Sequence, residues 1–113
     1  MKIIHCVNSF SSLSGGVGFS IKTLIENTNG FSHTILTLYD NEPLIEISDD
    51  VKIFRFKRNG PFAISYSYSL ENFLFKLANS NPNCTIHVHG LWSGLSFSAL
   101  RVSNSFRNIN LII

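Results

Sequence analysis

The chain reads as one α/β domain over residues 1–113, a Rossmann-like and mostly parallel sheet with helices on both faces. Three observations predict this. Short β-branched apolar runs alternate with segments whose apolar residues recur at helical spacing. The first such run leads through a serine-rich loop into a glycine turn that opens a helix. An apolar fraction of 44% beside a charged fraction of 14% supplies a buried core, in a length with room for one domain.

The elements follow in order. Lys2 to Val7 is a β-branched run that stops at Asn8-Ser9, a first strand. Asn8 to Ser14 is a loop, and after Gly15-Gly16 the residues Val17, Ile21, Leu24 and Ile25 fall at helical spacing until Asn27 to Gly30 ends them. His33 to Tyr39 alternates as a second strand. Asp40 to Asp50 holds Pro43 and is too short for a helix. The third strand, Val51 to Phe56 with one polar face, is therefore either antiparallel or reached by a direct crossover. Asn59-Gly60-Pro61 breaks it.

Leu70, Phe73, Leu74 and Leu77 predict a second helix from about Ser67 to Asn79. Cys84 to Val88 has the low polar content of a strand covered on both faces. Leu95, Ala99, Val102 and Phe106 mark a third helix, and Ile109 to Ile113 begins a fifth strand. Leu111-Ile112-Ile113 reads as a central, buried strand. A parallel sheet ending there lacks the following loop, where ligands bind, so the domain is expected to be incomplete at its C-terminal end.

Charge and cysteine usage exclude several classes. A net charge of +2 is too small to argue for nucleic acid, and Arg55, Lys57 and Arg58 alternate with Phe54 and Phe56 as the polar face of a half-buried strand. Met1 to Val7 is too short for a signal peptide, and no apolar stretch approaches the ~20 residues that cross a bilayer. Cys6 and Cys84 each lie in an apolar run and are expected as free, buried thiols in a reducing compartment, with the cytoplasm as the default.

Two stretches carry candidate chemistry. In Ser14-Gly15-Gly16-Val17-Gly18, glycines let backbone approach an anion and the helix N-terminus presents amide groups to it, so a diphosphate is the natural guest. The same glycines also serve a tight turn that only packs closely. A dinucleotide fingerprint is the rival: Gly16-Val17-Gly18 supplies two glycines and Asp40 stands where a ribose-binding acid would. Ile21 at the third glycine position and the long loop before the turn depart from that fingerprint.

In Ile86-His87-Val88-His89-Gly90-Leu91-Trp92-Ser93, the two histidines share a strand face and His89 reaches the carboxyl edge of the sheet. His87 reads as a hydrogen-bonded core histidine. No Cys, Asp or Glu nearby completes a coordination sphere, and His5 and His33 are not identifiable as partners, so no metal is expected. Trp92 is either an apolar platform for a sugar or lipid face or a residue packing helix onto sheet. Glu42, Glu46, Asp49 and Asp50 read as a solvated face, Glu26 and Glu71 as outward helix positions, and no catalytic set is visible.

Taken together, these stretches resemble the N-terminal domain of glycosyltransferase family 4, the retaining, metal-independent enzymes of the GT-B fold. The similarity rests on Lys2 to Asn8, on Ser14 to Gly18, on Arg58-Asn59-Gly60-Pro61-Phe62-Ala63, and most specifically on Ile86 to Ser93, which is similar to bacterial enzymes of surface-polysaccharide biosynthesis. The resemblance implies an acceptor-binding half of a transferase that moves a sugar from a nucleotide-sugar to a glycan or lipid-linked acceptor. It implies that Gly15, Gly16, Val17 and Gly18 approach the donor diphosphate, and that His89, Gly90, Trp92 and Ser93 line the acceptor side.

No cofactor beyond the nucleotide-sugar co-substrate is implied. The family's histidine after the fifth strand and its C-terminal donor domain have no counterpart in these residues. No catalytic residue carries over, and the 113 residues are expected to be inactive alone. The implied localisation is cytoplasmic or peripheral at the inner face of the membrane. Two alternatives stand beside this one, a small dinucleotide-binding module and the non-catalytic half of a split, two-chain transferase.

Overall fold

The computed structural model describes residues 2–12, 16–28, 30–60, 65–90 and 94–113. The elements are β1 (Lys2–Val7), α1 (Gly16–Glu26), β2 (Ser32–Leu38), β3 (Lys52–Phe56), α2 (Tyr68–Ser80), β4 (Thr85–His89), α3 (Gly94–Asn104) and β5 (Asn110–Ile112). The five strands form one sheet in the order β3-β2-β1-β4-β5, and every neighbouring pair is parallel. The fold is therefore Rossmann-like, as the alternation of elements predicts. The connection from β2 to β3 is the direct crossover, made without a helix.

Alternation along the strands builds two cores. On one face Ile4, Cys6, Leu36, Leu38, Ile86 and Val88 pack against Leu70, Leu74 and Ala78 of α2 and Leu95, Ala99 and Val102 of α3. On the other face Val7 and Ile35 meet Ile21 and Ile25 of α1, with Phe10, Ile45 and Val51 coming from loops. The loop residues take the place that a crossover helix occupies in most parallel pairs.

Helix α2 starts at Ser67, whose hydroxyl accepts from Leu70 N at 3.2 Å and satisfies one of the free first-turn amides. Glu71, expected to point outward, is buried instead. It accepts Tyr66 Oη at 2.7 Å and Arg101 Nε at 2.6 Å, which ties α2 to α3. Burial pushes its carboxyl up, but the bonds from Arg101 and Tyr66 outweigh this and hold it below the usual carboxylate range.

Two other expectations change. The apolar stripe of α1 is narrower than its spacing suggests, because Val17 is 50% and Leu24 38% exposed while Gly18, Ile21 and Ile25 face the sheet. Strand β4 is covered fully on the α2–α3 side only, and His87 and His89 on its other face are half-buried. Strand β5 lies at one side of the described sheet. It pairs with β4 alone, and Ile112 and Ile113 are 49% and 52% exposed.

Candidate functional site

In strand order β3-β2-β1-β4-β5 the chain runs outward in one direction from β1 to β3 and in the other from β4 to β5. The topological switch point is the β1–β4 pair. Open α/β sheets bind ligands in the crevice beyond the carboxyl ends of the two strands at that point. Here α1 begins beyond β1 and the turn at Gly90 follows β4. Gly16, Val17, Ser20, His89 and Gly90 line a shallow crevice of about 510 Å³ between them. A cavity of about 420 Å³ lined by Lys2, Ser32 and the turn from Ser80 to Cys84 lies at the amino ends of the strands, away from the ligand edge.

The crevice residues have local reasons for their identity. Gly90 has φ +121°, a conformation that side chains rarely allow. Gly16 is the first residue of α1, and among the described residues nothing lies within 4 Å of a β-carbon added there. The first turn of α1, with its amide groups, borders the crevice. Gly18 points elsewhere: it is buried against the second core, and a β-carbon there would overlap Ile45 Cδ1. Of the predicted site residues, Gly16, Val17, His89 and Gly90 come together in the crevice and Gly18 serves packing. Gly15, Trp92 and Ser93 lie outside the described residues, as do Pro61, Phe62 and Ala63.

Beneath the crevice the structure brings together four histidines. His5 pairs in register with His87, Val7 with His89, and Ile3 with His33, so His5, His33, His87 and His89 all stand on the α1 face of the sheet. His5 is fully buried at the centre. Its Nε2 lies 3.0 Å from His33 Nδ1 and its Nδ1 lies 3.2 Å from His89 Nε2. The rings of His87 and His89 are 3.9 Å apart, centroid to centroid. At the far end, His33 Nε2 is 3.0 Å from Thr28 Oγ1.

All four imidazoles are held toward the neutral form. Burial, then repulsion from His89, His33 and His87, lowers His5 to about 3. Burial and His87 lower His89 to about 4. Burial lowers His87 as well. It also lowers His33, against the opposing pull of a hydrogen bond with Thr28 and the charge of Asp50. His87 is thus part of a partly accessible ring cluster and not the enclosed core residue that its strand position suggests. His5 and His33 are the members that sequence reasoning did not connect to the site.

Asp40, the candidate ribose acid, is engaged within the chain. Ser9 donates to one carboxylate oxygen, while Glu42 N and Arg55 reach the other at 3.2 Å each. Burial raises its carboxyl, and these partners together with Arg58 lower it further, so it stays ionised. Arg55 also donates to the carbonyl of Glu42 and lies over the Tyr39 ring at 5.2 Å. Both oxygens of Asp40 therefore hold the loop after β2, and most of the carboxylate's acceptor capacity is spent within the chain.

Among the described residues no helix is long and apolar enough to cross a membrane. No protein-family model matches the chain, and no curated protein matches it.

Proposed function

We propose that the chain is the acceptor-side, N-terminal half of a retaining glycosyltransferase of the GT-B type. It would work with a donor-binding half supplied by a second domain or a second chain. The observation that carries this reading is the meeting of the N-terminal turn of α1 with His89 and Gly90 across one crevice at the β1–β4 switch point. Amide groups at a helix N-terminus stabilise the negative charge that develops on a departing nucleoside diphosphate, and such preorganised donors work without a metal. Across the crevice, His89 offers a neutral imidazole at neutral pH, able to accept or donate a hydrogen bond to an acceptor hydroxyl.

The engaged carboxylate of Asp40 speaks against the dinucleotide alternative, whose ribose contact it would have to make. Glycan and lipid-linked acceptors, polysaccharide biosynthesis and a station at the inner face of the membrane belong to the same proposal and rest on the resemblance alone.

The test is an amide NMR titration of the chain with a nucleotide-sugar and, separately, with inorganic pyrophosphate. The expected result is saturable shifts at Gly16, Val17 and Gly90, lost in Gly16→Val while the rest of the spectrum is kept, since that side chain meets open space. Shifts absent from the crevice at millimolar ligand, or undiminished in Gly16→Val, would overturn the diphosphate role.

A further inference from the structure

Three of the histidines do more than stack. One ligand nitrogen from each of His5, His87 and His89 lies within 4.8 Å of the other two. The contact between His5 Nδ1 and His89 Nε2, at 3.2 Å, is close to the separation of two nitrogens bound ~2.0–2.1 Å from one tetrahedral ion. The His87 nitrogen, within 4.8 Å of the other two, must move closer to complete the set, and His87 is only half-buried on the open face of β4.

The hydrogen bonds around this trio have a direction, and that direction presents a lone pair. Thr28 Oγ1 donates to the carbonyl of Leu24 at 2.8 Å, so toward His33 it accepts. His33 therefore carries its proton on Nε2 and keeps a lone pair on Nδ1. His5 Nε2–H donates to that lone pair, 3.0 Å away. Its Nδ1 is then deprotonated and faces His89. A metal-bound imidazole is held in this way, with its far N–H donated to a fixed acceptor that sets both tautomer and ring angle. Here the acceptor is a second imidazole, itself anchored by Thr28 just past the end of α1.

We propose that His5, His87 and His89 form a binding site for a transition-metal ion of the Zn²⁺ class, with His33 as the residue that positions His5. Three neutral imidazoles and no carboxylate suit Zn²⁺, Co²⁺, Ni²⁺ or Cu²⁺ and not Mg²⁺ or Ca²⁺. In the empty site His89 donates Nε2–H to His5 Nδ1. On binding, that proton moves to His89 Nδ1 and both facing nitrogens become ligands, so the rings lose no proton. A fourth position remains for water or for a group entering the crevice that His89 lines. The site does not depend on the transferase reading, and a metal bound there would be separate from the leaving-group chemistry proposed for α1.

The experiment uses tag-free, metal-stripped chain titrated with Co²⁺, read by its visible ligand-field bands, followed by displacement with Zn²⁺. The expected result is one ion per chain with the intense bands of four-coordinate Co²⁺, unaffected by excess Mg²⁺. His87→Ala and His89→Ala, both at half-buried positions, should each weaken binding at least tenfold. His33→Phe, which keeps all three ligands, should weaken it by roughly ten- to a hundredfold, the usual effect of losing an outer partner. Six-coordinate Co²⁺ spectra, or binding that survives in the His87→Ala/His89→Ala double variant, would overturn the site. Undiminished affinity in His33→Phe would overturn the positioning role alone.

Discussion

A buried row of neutral histidines makes the stability of the metal-free fold depend on pH in a defined direction. His5 is fully enclosed, and its pKa falls from 6.5 to about 3 on folding. The groups acting on it by charge are the facing rings of His89 and His87 from β4 and of His33 from β2. As pH drops, the unfolded chain takes up the proton at His5 first. The contribution of this residue is therefore complete above about pH 6.5 and drains away as pH falls toward 3. At pH 5 the unfolded chain has gained about 2 kcal/mol from this one site. His89 titrates the same way, from 6.5 to about 4, but is partly exposed, so solvent screening reduces its share.

The assay is urea unfolding at pH 7.5 and pH 5 with a chelator present, in wild type and in His5→Phe. Wild type should lose about 2–3 kcal/mol between the two pH values, and the variant should recover about 2 kcal/mol of that difference. A wild-type loss under about 0.5 kcal/mol would refute the reasoning, as would an equal slope in His5→Phe.

Other consequences are as direct. Gly18→Val should destabilise the fold by roughly 1–3 kcal/mol in urea unfolding, because the new side chain overlaps Ile45 in a filled core. Gly16→Ala, facing open space, should leave the unfolding free energy within about 0.5 kcal/mol of wild type. Both thiols are buried and burial raises both, Cys6 to about 12. Neither should react with a thiol reagent until the chain unfolds, and prompt labelling of either in the native state would contradict the core described above. Arg101→Ala should cost no more than about 1 kcal/mol, since that side chain is 59% exposed. Glu71→Ala removes a buried acceptor and should cost about 1–3 kcal/mol by the same measurement.

The element order and the parallel architecture were legible in the sequence because each depends on a local period. Ile21 and Ile25, Leu70 and Leu74, and Leu95, Ala99 and Val102 repeat at the spacing of a helix face, and they are the residues that face the sheet. The glycine turn and His89 were legible as candidates because both sit where strand ends are expected.

What was not legible depends on register. Residue spacing says that His87 and His89 share a face, but only the pairing of His5 with His87 and of Ile3 with His33 puts all four rings on the same side. No window of sequence contains that relation. Glu71 was misread for a similar reason. Of its partners, Tyr66 is a bridge residue ahead of α2 and Arg101 comes from a different helix, and their combined pull outweighs the cost of burial.

The helix-free crossing from β2 to β3 reaches back to the glycine turn. Ile45 N donates to Phe10 O at 3.0 Å, Ser12 N donates to Pro43 O at 3.3 Å, and Ser11 bridges Leu44. With Ser9 bound to Asp40, residues 9–12 are laced along their length to residues 40–45. The approach to α1 thus hangs from a distant stretch of chain, and the Ile45 methyl that abuts Gly18 sets how close the helix sits to it. Sequence drift in residues 40–45 would tilt or shift the amide end of α1 without altering any residue that lines the crevice. In such a design the caliper that sets the gap of the crevice lies outside it, in a loop that supplies none of its lining residues.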